Sequence, residues 1–157
     1  MNDYYKNLPK KRMGAGSIFL DEKGNVLVVK PSYKDGWSIP GGTVDEDESP
    51  KQACIREVKE EISLSIDNVR FLCVDYGPKE HDHDGKSESL QFIFYGGILD
   101  KNSISKIKLD SRELTEFRFV TVSEAEKLLS QKLARRLPKC VEAIKTGTSV
   151  YLENGEF

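Results

Sequence analysis

The chain has 157 residues, 38% of them hydrophobic and 32% charged, with a formal net charge of −2. That length suits one domain with a proper core, and the composition suits a globular protein. The slightly acidic balance excludes a global basic field for nucleic acid, and no apolar run is long enough to span a bilayer. The three cysteines, Cys54, Cys73 and Cys140, form no CxxC pair, which argues against a zinc ribbon or a disulfide framework. With no signal-peptide pattern, the expected location is the cytoplasm.

Residues 1–12 read as a polar, frayed tail carrying Lys6, Lys10, Lys11 and Arg12, and 13–157 as a single domain. A strand is predicted over 14–20, a turn over 21–25 and a short apolar strand over 26–30, together a hairpin. A loop covers 31–36, and a brief extended piece over 37–40 leads into Gly41-Gly42. Ser49-Pro50 marks a helix start, with serine as N-cap and proline in the first turn, after the acidic run 45–48. The helix runs to about residue 62 and is expected to dock through Ile55, Val58 and Ile62. Strands follow over 69–76, 90–99 and 114–120, with loops over 77–87 and 100–106. A capping box at Ser123-Glu-Ala-Glu126 predicts a second helix through 129, and a third covers 137–146, ended by Gly147. Residues 150–152 read as a terminal strand. This order is not a regular βαβα alternation, and it predicts a mixed sheet with helices packed on it.

The first helix carries the chemistry. Glu57, Glu60 and Glu61 stand at i, i+3 and i+4, within roughly 100° of one another around the axis. Like charges at these spacings repel, and a hard divalent cation with oxygen ligands, magnesium above all, would offset that. Gly42, five residues, Glu48, seven residues, then Arg56-Glu57-Val58-Lys59-Glu60-Glu61 resembles the box of the Nudix hydrolases, here Gly42 to Leu64. Trp37-Ser-Ile-Pro-Gly-Gly42 is similar to the family's lead-in, and Glu113-Leu-Thr-Glu-Phe-Arg-Phe-Val120 to its late strand. Two positions depart from the pattern. Ser63 and Asp47 both stand where the family commonly has glycine, which puts the helix exit and the loop geometry in question.

The resemblance implies an α/β (α+β-like) fold, a Nudix-type mixed β-sheet sandwiched between helices. It implies a MutT-like, metal-dependent pyrophosphohydrolase that cleaves a nucleoside diphosphate linked to another moiety, by water attack on phosphorus. Glu57, Glu60 and Glu61 would be metal ligands and catalytic residues, with the Gly41 carbonyl as a further ligand. Arg56, Glu48 and Gly42 would support the loop and helix. The cofactor would be Mg2+, with Mn2+ as a substitute. The substrate would be a nucleoside triphosphate, ADP-ribose, a dinucleotide or a nucleotide sugar. The alternative is a non-catalytic, nucleotide-binding sensor or interaction module. The resemblance allows a homodimer, and no membrane or long nucleic-acid partner is expected.

The loop 79–86 reads as a polar surface connector. Read functionally, it offers Glu80, His81 and His83, and Glu88 beyond it, as an auxiliary ligand or base, with Glu88 and Glu80 as the chosen pair. Trp37, Tyr33 and Tyr76 could stack on a nucleobase or pack in the core. Arg135-Arg136 reads as a solvated helix surface that could touch a phosphate.

Overall fold

The computed structural model describes residues 3–80 and 86–157; His81 and His83 lie outside them. After a short 3-10 turn at Tyr5–Asn7, the elements are β1 (Arg12–Asp21), β2 (Val26–Pro31), β3 (Gly41–Thr43), α1 (Pro50–Ile62), β4 (Arg70–Gly77), β5 (Ser89–Leu99), α2 (Lys101–Ser105), β6 (Leu114–Val120), α3 (Val122–Leu128), α4 (Gln131–Thr146) and β7 (Val150–Glu153). One seven-stranded mixed sheet runs β6-β2-β1-β5-β4-β7, with β3 also paired to β1. β1 and β5 are parallel at its centre. The fold is the α/β sandwich expected, with helices on both faces.

Why β2 sits inside follows from its sequence. Val26, Leu27, Val28 and Val29 are all buried, so the strand is apolar on both faces. Val26 and Val28 pack toward α3 and α4 with Ile18, Leu137 and Cys140. Leu27 and Val29 pack toward α1 with Phe19, Val58 and Ile62. Burying one such side chain contributes about 1.5–3 kcal/mol.

The edge of β1 is shared by two partners. β2 pairs at Leu20, whereas β3 pairs at Gly14, Ala15 and Gly16. This division brings Gly41 and Gly42 into the sheet. The Ser17 amide donates to the Pro40 carbonyl at 2.9 Å and secures the entry.

Several boundaries differ from expectation. Residues 101–105 are a helix rather than a loop, because Asp100 caps it by accepting from the Ser103 amide at 2.7 Å. α3 starts under Thr121, whose capping box uses Glu124, two positions before the Ser123 box. This register places Ala125 and Val122 against the sheet. α4 starts at Gln131 under a Ser130 cap, and Pro138 lies inside the helix. A proline there removes one helical bond, and burial of Leu137, Cys140 and Ala143 offsets the loss. On α1 the buried residues are Ala53, Cys54, Val58, Glu61 and Ile62; Ile55 is only half-buried. The docked face is therefore rotated toward the carboxylates. β1 starts at Arg12, inside the expected tail.

Candidate active site

The Gly42–Leu64 segment is built around its loop-to-helix junction. Ser49 and Gln52 form a reciprocal capping box, at 3.1 and 2.8 Å. At the other end Ser63 adopts the left-handed conformation, φ 63° and ψ 23°, and its amide donates to the Lys59 carbonyl. Its hydroxyl also donates to the Lys108 carbonyl at 2.8 Å. Asp47 has φ 59°. Both departures from glycine thus occupy backbone that glycine adopts freely, so the chain path survives the substitutions.

Arg56 joins loop and helix. Its Nε and Nη2 donate to the two oxygens of Glu48 at 2.7 and 2.9 Å, a bidentate pair. Nη2 also donates to the Thr43 carbonyl at 3.1 Å, and Asp45 lies 3.3 Å away. Arg56 holds the Glu48 carboxyl down to about 2. Nη1 reaches Glu57 at 3.0 Å and Glu60 at 3.2 Å. The same guanidinium therefore ties down the loop and orients two of the three helix glutamates.

Glu61 is 6% exposed, and its Oε1 accepts from the Gly41 amide at 2.7 Å. Burial pushes its carboxyl up to about 8; the Gly41 bond pulls the other way, and the charges of Glu57, Glu113 and Glu60 push further up. Burial also raises Glu57, against the pull of Arg56. Gly42 must be small, because a Cβ there would lie 2.6 Å from Glu57 Cδ. Gly41 must be small too, since its Cβ would lie 2.6 Å from Gly16 Cα.

Glu57, Glu60, Glu61 and Glu113 are the side chains that could hold a cation here. Among the described residues no three of them converge as a ready-made metal cluster, and Arg56 pairs with one oxygen each of Glu57 and Glu60. Their chemistry fits a hard divalent ion: oxygen donors only, and a buried carboxylate whose charge has no cationic side chain of its own. Glu113, at the threshold of β6, was not singled out as a site residue. Its signal lay in the late-strand similarity, which marks the acidic position without saying that it faces α1.

Beside Gly41 and Gly42 opens a cleft of about 900 Å³. Among the described residues, Lys11, Arg12, Lys34, Lys86, Lys132 and Arg136 line it, together with the acid Glu80. Four separate segments supply these cations, so the net charge does not announce them, and the basic run Lys10-Lys11-Arg12 marks only one of the four.

The remaining candidates are scattered. Glu80 lies in the cleft, paired with Lys132 and, at 3.4 Å, with Lys86. Glu88 pairs with Lys11 at 2.7 Å and accepts from the Tyr76 hydroxyl. Neither belongs to the carboxylate group around Glu61. Trp37 is 9% exposed, packs in the core and lies under the Arg118 guanidinium at 4.7 Å, so it offers no face to a nucleobase. Tyr33 is exposed and lines the cleft. Arg136 corrects the expectation of a solvated helix surface: it is 8% exposed and paired with Asp75, which is fully buried.

Comparison with known proteins agrees with this geometry. The NUDIX domain family model matches residues 10–142. An RNA pyrophosphohydrolase of Hydrogenovibrio crunogenus is 41% identical over 116 residues, which cover 68% of this chain and 69% of that protein. The mRNA-decapping enzyme subunit 2 of Saccharomyces cerevisiae is 36% identical over 73 residues, 44% of this chain but 7% of that protein. A MutT protein structure from Methanosarcina mazei superposes with a TM-score of 0.70 at 22% identity, covering 88% of this chain and 99% of that one, a likeness of fold. The family match begins ahead of β1 and ends within α4, taking in the box helix, both glycines and the cleft walls; the chain belongs to the Nudix hydrolases, enzymes that act on phosphorus-containing acid anhydrides.

Proposed function

We propose that this chain is a divalent-metal-dependent pyrophosphohydrolase of nucleoside polyphosphates, with its cation held by Glu57, Glu60 and Glu61. The observation that carries the reading is the carboxylate set of α1, whose buried member Glu61 is bonded to the amide of Gly41, a residue that with Gly42 lines the cation-rich cleft. Magnesium, or manganese in its place, would neutralise phosphate oxygens and acidify a water. The chain's own part is positioning. Arg56 and Glu48 brace the helix against its entry loop. The Gly41 amide orients Glu61, and a box glutamate receives the proton of the attacking water. Lys11, Arg12 and Lys34 bind the polyphosphate, and Tyr33 borders it. Residues 13–157 act as the catalytic unit, with Lys11 and Arg12 added from the segment before it.

A second reading is favoured by the relative named an RNA pyrophosphohydrolase and by the six cleft cations: the 5′-triphosphate end of an RNA. A short footprint of the triphosphate and first nucleotide is compatible with the net charge of −2. The test is one panel of nucleoside triphosphates, ADP-ribose, dinucleotide polyphosphates, nucleotide sugars and a 5′-triphosphorylated oligonucleotide, each with magnesium or manganese. Metal-dependent release of phosphate or pyrophosphate is expected. Glu60→Gln and Glu61→Gln should each lower turnover by about two orders of magnitude or more with the fold retained. Near-normal activity in both variants would sink the site assignment.

A further inference from the structure

We infer that Arg136, clamped by Asp75 in the lining of the cleft, reads the nucleobase of the substrate and selects guanine. The inference rests on the nucleotide reading above and names the base that the site takes. Arg136 is 8% exposed, although it is a permanent cation on a helix. Asp75 Oδ2 accepts from its Nε, and Asp75 Oδ1 accepts from the Gly155 amide at 3.0 Å. The carboxylate is thus satisfied from two sides and fixes the guanidinium plane. Among the described residues Asp75 is the hydrogen-bond partner of this guanidinium, which leaves the Nη donors to the cleft that Arg136 lines. The Nη donors are not among the buried unpartnered atoms, so they face the cleft and stand ready for a ligand with two adjacent acceptors.

The surroundings specify the ligand. Gly14, Gln91 and Asp75 lie side by side across β1, β5 and β4. Gly14 has no side chain, and a Cβ there would lie 3.0 Å from Gln91 Cδ, so the Gln91 amide rests in the space that glycine leaves. Ile39, Ile93 and Leu133 complete the walls around Arg136. Apolar walls suit a flat ring and do not suit a phosphate, for which Lys11, Arg12 and Lys34 are available in the same cleft. A bidentate arginine matches the O6 and N7 acceptors of guanine; adenine presents N7 beside an N6 donor, which opposes it. Gln91 can both donate and accept at the ring.

The test is calorimetric binding of GDP, IDP, 7-deaza-GDP and ADP to the whole chain with magnesium. GDP and IDP, which share O6 and N7, should bind on the order of 10-fold or more tighter than ADP. 7-deaza-GDP, without N7, should fall toward ADP. Arg136→Lys should bring the GDP-to-ADP ratio to near unity. Equal binding of GDP and ADP by the natural chain, or a ratio unchanged in a folded Arg136→Lys, overturns the inference. The diphosphate analogue series needs no variant, so it decides the matter even if Arg136→Lys fails to fold. Selective GDP binding without hydrolysis of any nucleotide would overturn the catalytic reading and leave this one standing.

Discussion

Gly42→Ala isolates the contact between β3 and the helix carboxylates. The added Cβ would lie 2.6 Å from Glu57 Cδ and 2.9 Å from Glu57 Oε2. Carbon atoms in contact sit about 3.5–4.0 Å apart, so the carboxylate must retreat by about 1 Å. The backbone tolerates the change, because Gly42 is outside the positive-φ glycines. What moves is the end of a flexible side chain, so the loss of stability should stay within about 1 kcal/mol. Displacing Glu57 breaks its 3.0 Å contact with Arg56 and moves a proposed ligand off its position. A misplacement of about 1 Å at reacting groups can cost on the order of 100-fold in rate. The assay is steady-state phosphate release with magnesium titrated at each substrate concentration, beside a thermal melt. Expected are a kcat/KM about 100-fold lower, a higher magnesium requirement and a melt shifted by a few degrees at most. A variant within about 3-fold of the natural chain at the same magnesium requirement would refute the idea that Gly42 exists to seat Glu57.

Other tests concern charge and backbone. Folding raises the Glu61 carboxyl from 4.5 to about 8, so across that window the folded chain binds the proton that the unfolded chain has lost. The stability of the metal-free protein should therefore fall as pH rises from 4.5 toward 8, by about 5 kcal/mol at most. Glu61→Gln or added magnesium should flatten that slope in urea melts, and a slope unaffected by either would show that Glu61 is not its source. Asp47→Gly should stabilise by about 0.5–1 kcal/mol, because Asp47 sits at φ 59° on an exposed loop. Ser63→Gly should be near neutral, since relief of its left-handed backbone is offset by loss of the 2.8 Å hydroxyl bond to Lys108. Equal gains from both would show that the Ser63 hydroxyl contributes nothing. Arg56→Lys should lower activity, because an ammonium cannot replace the two-pronged bond to Glu48 while also reaching Glu57 and Glu60. Full activity in that variant would remove Arg56 from the positioning role.

Much of the frame could be read directly from the residues because the relevant forces act over a few positions. Ser49-Pro50 starts α1, and Gly147 ends α4 in the left-handed conformation. The apolar run 26–29 is a buried strand, and the spacing of Glu57, Glu60 and Glu61 announces a shared helix face. Helix boundaries failed where two local signals compete, as with the Thr121 and Ser123 boxes, or where burial overrides a breaker, as at Pro138. Tertiary contacts chose between them.

The sequence by itself determined the acidic helix and the family it marks, since both are encoded in one run of residues with helical spacing. Which residues meet that helix was decided only by the fold. Trp37 joined the core, Glu88 went to Lys11 and Tyr76, and Glu113 came in from the turn before β6. Arg136 turned inward to Asp75, and six cations from separate segments gathered around one cleft in a chain of net charge −2. Charge and hydrogen-bond partners act through space, so their sum at a point depends on the chain's path and cannot be read from composition along it.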